Sequence, residues 1–116
     1  MANPKRGEII LSLAGKKYKA KITLDVIMRI ETAVGMSIVK IMQQLAEGAL
    51  QSTQMLSILT PALRSGGLDV KDKEVGEIMW DAGLSESIKA VGDICGVILA
   101  SGDDEGNGAE AENRLV

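Results

Sequence analysis

The chain has 116 residues, a formal net charge of −3, no histidine, one cysteine and no phenylalanine, with Tyr18 and Trp80 as its only aromatic side chains. This length predicts one domain with a modest core, burying somewhat under about 70% of the unfolded surface, and that core has to be aliphatic, built from Leu, Ile, Val, Ala and six Met. The missing histidines and the lone Cys95 remove the usual ligands of most metal sites and the usual groups for proton transfer near neutral pH, and they rule out an internal disulfide. No apolar run approaches the roughly 18 residues of a membrane span, and no apolar leader with a cleavage site is recognisable, so a cytoplasmic protein without cofactor or membrane partner is expected.

Charge is polarised along the chain. Lys5, Arg6, Lys16, Lys17, Lys19 and Lys21 make the first two dozen residues basic, whereas Asp103, Asp104, Glu105, Glu110 and Glu112 make the last segment acidic. Residues 8–22 alternate as a β-hairpin does: Ile9, Leu11 and Leu13 on one face, Lys17, Lys19 and Lys21 on one face of the return strand, and Ala14-Gly15-Lys16 at the turn. A two-stranded ribbon is marginal alone, so its apolar face should rest on helices.

Thr23 to Leu45 reads as two amphipathic helices broken at Gly35, and the remaining elements are expected to be arranged around this pair. Thr23 suits an N-cap and Asp25 the positive end of the first helix; Gly35 supplies the left-handed residue at its end, and Ser37 can cap the second. Ile27, Ile30 and Val34, then Ile38, Ile41, Met42 and Leu45, form the inward stripes. Glu31 sits at the edge of the first stripe, and there it can accept hydrogen bonds from the free amides that open the second helix.

Ser52 should cap a third helix with Met55, Leu56, Leu59, Ala62 and Leu63 inward. Pro61 removes one of its hydrogen bonds; because Ser57, Thr60, Pro61 and Arg64 share a polar side, the freed carbonyl is expected to face water at a bend. Ser65-Gly66-Gly67 ends the helix. A fourth helix, from about Lys71 to Ala82, carries Val75, Ile78, Met79 and Ala82 inward with Trp80 off the stripe. A fifth, capped by Ser85 and running to about Ala100, carries Ile88, Val91, Ile94, Cys95 and Ile98 inward. Gly92 and Gly96, one turn apart, would let another backbone come close. The segment beyond Ser101 has almost nothing apolar to bury and is expected to be disordered. The architecture predicted is α+β and mostly α: an N-terminal hairpin packed on about five short helices in one domain, 1–102, followed by an acidic tail, 103–116.

Trp80 is either covered by the hairpin or exposed as an interface anchor, and Met42, Met55 and Met79 are either core filler or an adaptable partner surface. The lysine face of the hairpin, Lys17, Lys19 and Lys21, has no arginine and reads as a solvated face more readily than as a nucleic-acid contact. Gly15-Lys16-Lys17 lacks the spacing of a phosphate loop. Asp103, Glu105, Asn107 and Gly108 imitate the start of a calcium loop, but Arg114 stands where its bidentate glutamate is needed. Cys95 lies on an apolar stripe, as an inert thiol would.

Three stretches, RGEIILSLAGKKYKAKITLDVIMRIETAVGMSI, QQLAEGALQSTQMLSILTPALRSGG and KDKEVGEIMWDAGLSESIKAVGDICGVIL, resemble the small tail-assembly proteins of alphaproteobacterial gene transfer agents and related siphophages, labelled tail tube protein or tail assembly chaperone. The resemblance spans residues 6 to 100 and rests on RGEI, on T-L-x(5)-I-E-x(3)-G from Thr23 through Glu31 to Gly35, and on L-x(3)-G-G from Leu63 to Gly67. Pro61 departs from the uninterrupted helix expected there. The resemblance implies a non-enzymatic role: binding the tape-measure protein, and tail tube subunits as a second partner, while the tail polymerises. Self-association, with the basic hairpin of one copy against an acidic surface of the next, is compatible with the charge asymmetry. A structural tube subunit retained in the particle is the alternative, disfavoured because only two strands are predicted. A DNA-binding regulator is further disfavoured by the net negative charge.

Overall fold

A computed structural model describes residues 7–106, with side chains described to residue 100. Strands β1 (Glu8–Leu13) and β2 (Lys16–Lys21) form an antiparallel hairpin, followed by α1 (Leu24–Val34), α2 (Ile38–Ala46), α3 (Ser52–Ser65), α4 (Asp72–Ala82) and α5 (Leu84–Gly106). The expected architecture of a hairpin on five helices is the one observed.

The hairpin closes in two residues because Ala14 and Gly15 both take positive φ, 55° and 77°, the turn that matches the right-handed twist of paired strands. Ile9 faces Ala20 and Leu11 faces Tyr18 on the inner side; Ile10 faces Lys19 and Ser12 faces Lys17 on the outer side. Leu11, Leu13 and Ala20 are fully buried, so the inner face supplies one wall of the core. The turn is tied down from a distance, since the Ala14 amide donates to Glu86 Oε1 at 2.9 Å.

Thr23 Oγ1 accepts from the Val26 amide at 3.2 Å at the start of α1, and Gly35, at φ 84° and ψ 22°, closes it by donating to the Glu31 carbonyl. Ser37 Oγ accepts from the Lys40 amide at 3.1 Å and opens α2. These caps satisfy amides and carbonyls that helix ends leave free. Ile30 and Ile41 are the fully buried residues of this corner.

The centre of the molecule, however, is α3, not the α1–α2 pair. It packs against α1, β2, α4 and α5, and Met55, Ile58, Leu59, Thr60, Ala62 and Leu63 are all buried. The side expected to be wet is so only in part: Arg64 is exposed, Ser57 and Pro61 are half-buried along the groove between α1 and α3, and Thr60 is buried with its hydroxyl donating to the Leu56 carbonyl at 3.0 Å. A threonine can be buried in a helix when its own preceding turn accepts its proton. The α3 assignment runs unbroken through Pro61.

Other local expectations shift. Ser52 is the first residue of α3 and not its cap; Gln51 holds that position, and its amide donates to Gln54 Oε1 at 2.8 Å. Helix α5 begins at Leu84, directly after Gly83, so Ser85 does not cap it, and Ile88 is exposed where burial was expected. The serine that matters is Ser87, fully buried, whose hydroxyl donates to the Gly83 carbonyl at 2.9 Å. The α5 backbone continues to Gly106, so residues 103–106 of the expected tail are helical, while 107–116 lie outside the described residues. Among residues 103–116 the calcium-like pattern therefore lies only partly within the described residues.

Among the described residues no close backbone approach occurs at Gly92 or Gly96. It occurs at Gly66, where an added Cβ would stand 2.1 Å from the Lys19 carbonyl oxygen. Only a residue without a side chain lets the end of α3 meet β2 this closely. Past Gly66 the chain turns back, the Leu68 amide reaching the Leu63 carbonyl at 3.1 Å and Arg64 Nε the Val70 carbonyl at 2.6 Å.

Candidate protein-binding site

Helix α4 starts with the Lys71 amide donating to Glu74 Oε1 at 2.8 Å, and Val75 is its one fully buried residue. Ile78, Met79 and Ala82 are half-buried. Trp80 follows Met79 by about 100° of helical turn, which carries its ring out of the packed face: 86% of the residue is exposed. One turn earlier Gly76 adds no side chain, and nothing lies within 4 Å of where its Cβ would be. Gly83 then breaks α4, and the chain doubles straight into α5 with Leu84 also exposed.

These residues line an open groove of about 630 Å³ between the first turn of α3 (Ser52, Thr53, Leu56), the outer side of α4 (Gly76, Met79, Trp80) and the α4–α5 junction (Gly83, Leu84, Ser87). Its side-chain polar groups are three hydroxyls and the Trp80 indole N–H, and the Ser87 hydroxyl is already committed to the Gly83 carbonyl. Ile88, one turn beyond Leu84, continues the apolar surface along α5. A solvent-exposed tryptophan beside an apolar trough is the surface chemistry of a protein contact, where large rigid aromatic anchors dominate the energy.

A larger groove of about 720 Å³ separates α1 from α3, but Asp25, Arg29, Thr32, Arg64 and Asp72 are prominent among its lining residues. Several of its polar groups already have partners: Arg29 Nε donates to Asp25 Oδ2 at 2.8 Å, and Arg64 Nε to Val70. The Asp25 hydrogen bond and charge push the Arg29 guanidinium further toward its charged form. The α3–α4–α5 groove is the better candidate for an apolar partner.

Of the methionines, Met79 lines this groove. Met55 is 2% exposed and belongs to the core, and half-buried Met42 packs against that core from α2, away from Trp80. Leu56, Leu84 and Ile88 carry much of the apolar surface and were not expected to; their exposure follows from how α3, α4 and α5 meet. On the hairpin, Lys17 and Lys19 are exposed and Lys21 half-buried on the outer face, with one loose pair, Lys19 Nζ to Glu8 Oε2 at 3.9 Å. Glu31 Oε2 accepts from the Ile38 amide at 2.9 Å, bridging α1 to the first turn of α2 across the Gly35 corner. Pro61 lies on the α1 side of α3 and outside the apolar groove. Cys95 is buried, and that burial pushes its thiol pKa up, away from the reactive thiolate.

Among the described residues no group of three or more His, Cys, Asp or Glu is placed to hold a metal ion, and no helix is long and apolar enough to cross a membrane. No curated protein and no solved structure matches the chain. The model of the family described as phage tail tube protein, GTA-gp10, matches residues 6–101, which takes in the hairpin, α1 to α4 and most of α5. The surfaces described above are therefore those of a tail protein, and the chain belongs to this phage and gene-transfer-agent tail family.

Proposed function

We propose that the protein is a non-enzymatic tail-assembly chaperone that binds the tape-measure protein while the tail is built in the host cytoplasm. The observation that carries this reading is Trp80, standing 86% exposed at the lip of an apolar groove. A tape-measure protein is a long helical chain with apolar stripes, and a groove floored by Leu56 and Met79 and walled by Trp80 and Leu84 suits one such stripe. Binding would shield client surface that otherwise aggregates, and it needs no reactive group.

Trp80 is the sole tryptophan of the chain, so its fluorescence reports on the site directly. Titration with a tape-measure fragment should shift its emission to the blue, and co-expressed fragment should be captured by wild type but lost with Trp80→Asp. Unchanged emission together with undiminished capture by that variant would refute the reading.

The second reading, a tube subunit retained in the particle, is favoured by the description of the family. Tube rings need an extended β framework, and among the described residues the sheet has two strands. Purified mature particles distinguish the two: a chaperone is absent or sparse there, whereas a tube subunit is present at ring stoichiometry.

A further inference from the structure

A second surface lies on α4 next to Trp80. Glu74, Glu77 and Asp81 recur at spacings of three and four, so they stand in one row with carboxylates about 4.5 and 6 Å apart along the axis. The row forms one wall of a shallow groove whose apolar lining includes Tyr18, Val70 and Ile78 and whose opposite rim carries Lys16. Among the described residues none of the three carboxylates has a cationic partner within 4.0 Å. The hairpin's outer face has the complementary character. Lys17, Lys19 and Lys21 lie about 6.8 Å apart along β2, and beside them Ile10 is 41% exposed, directly across from Lys19. Lys17 and Lys21 likewise have no carboxylate within 4.0 Å among the described residues.

Each face thus presents a row of three like charges and an apolar element, and the two rows differ in sign and match in pitch to within the reach of a lysine side chain. They cannot meet within one molecule, because the hairpin turns its inner face, with Leu11, Leu13 and Ala20, toward the helices. We infer that the outer hairpin face of one copy docks on the Glu74–Glu77–Asp81 row of a second copy, with Ile10 entering the Tyr18–Ile78 groove. The contact is heterologous: it leaves a free hairpin at one end and a free acidic row at the other, so it propagates into a chain or closes into a ring. The acidic row adjoins the Trp80 surface, because Glu77 and Asp81 share a shallow pocket with Gly76 and Trp80. Paired charge rows give such a contact its register and its encounter rate, and make it dependent on salt.

The test uses the full chain in sedimentation velocity, with two double variants at exposed positions that carry no internal hydrogen bond: Lys17→Glu with Lys19→Glu, and Glu77→Lys with Asp81→Lys. Far-UV circular dichroism checks that each is folded, and the single substitutions Lys17→Glu and Glu77→Lys serve if a double variant is not. Wild type should self-associate at low salt and dissociate near 1 M, where the screening length falls to about 3 Å. Each variant alone should be monomeric, and mixing the two should restore association, because the reversed rows complement each other. A wild type that stays monomeric at low salt, association that persists in either variant, or a mixture that remains monomeric overturns the inference.

Discussion

Helices α3 and α4 are neighbours of similar length put to opposite uses. Helix α3 buries residues on most of its circumference, including Thr60, and touches α1, β2, α4 and α5. Helix α4 buries Val75 alone in full and turns Trp80 to solvent on one side and a carboxylate row on another. The difference teaches how burial is divided in a chain with almost no aromatic side chains: aliphatic side chains fill the core, and its only tryptophan stands on the surface.

That division makes a graded set of expectations, measured as changes in unfolding free energy by chemical denaturation. Leu59→Ala, at a fully buried position of α3, should cost about 2–5 kcal/mol, since the neighbours on several sides cannot all collapse into the cavity. Gly66→Ala should cost about 1–3 kcal/mol, because the new Cβ meets the Lys19 backbone rather than a side chain that can move aside. Glu31→Ala should cost about 1–3 kcal/mol through the lost acceptor for the Ile38 amide, nearer the low end because that site is half-exposed. Trp80→Ala should change stability by less than about 0.5 kcal/mol while removing client capture. Should Trp80→Ala destabilise as much as Leu59→Ala, α4 would be part of the core and the contrast would disappear.

The parts of the fold that can be read from sequence are those whose signals are local. Thr23, Gly35 and Ser37 act on groups three or four residues away, so the α1–α2 corner is legible from a short window. The same holds for the hairpin, where alternation and a two-residue turn set the register. The environment of α3 is not legible in this way. Ser57, Thr60 and Pro61 look like a wet face, yet beside the α1–α3 groove Ser57 and Pro61 are half-buried and Thr60 is buried, hiding its polarity by bonding within its own helix. Gly66 reads as a helix stop, yet its tighter constraint is the carbonyl of Lys19, far away in sequence. Ser85 and Ser87 are two residues apart and equally plausible as polar helix residues, and only the tertiary placement of α5 makes Ser87 buried and Ser85 exposed.

The candidate site divides along the same line. The oddity of Trp80 is visible as a departure from the stripe of its helix, but whether the hairpin covers it depends on tertiary placement. The methionines give no such warning: Met55 and Met79 have the same chemistry, and one is core while the other is groove. Leu56 and Leu84 could be assigned to the groove only once the first turn of α3 was seen beside the α4–α5 junction.

Amide hydrogen exchange, with and without a tape-measure fragment, tests most directly the claim that α3 holds the fold while α4 meets the client. In the free protein the α3 amides from Leu59 to Leu63 should exchange slowest, and bound fragment should add protection in the first turn of α3 and across Gly76 to Ser87 while leaving α1 and α2 unchanged. Protection that instead appears on α1 and α2, or an α3 that exchanges as fast as α4 in the free protein, would contradict it.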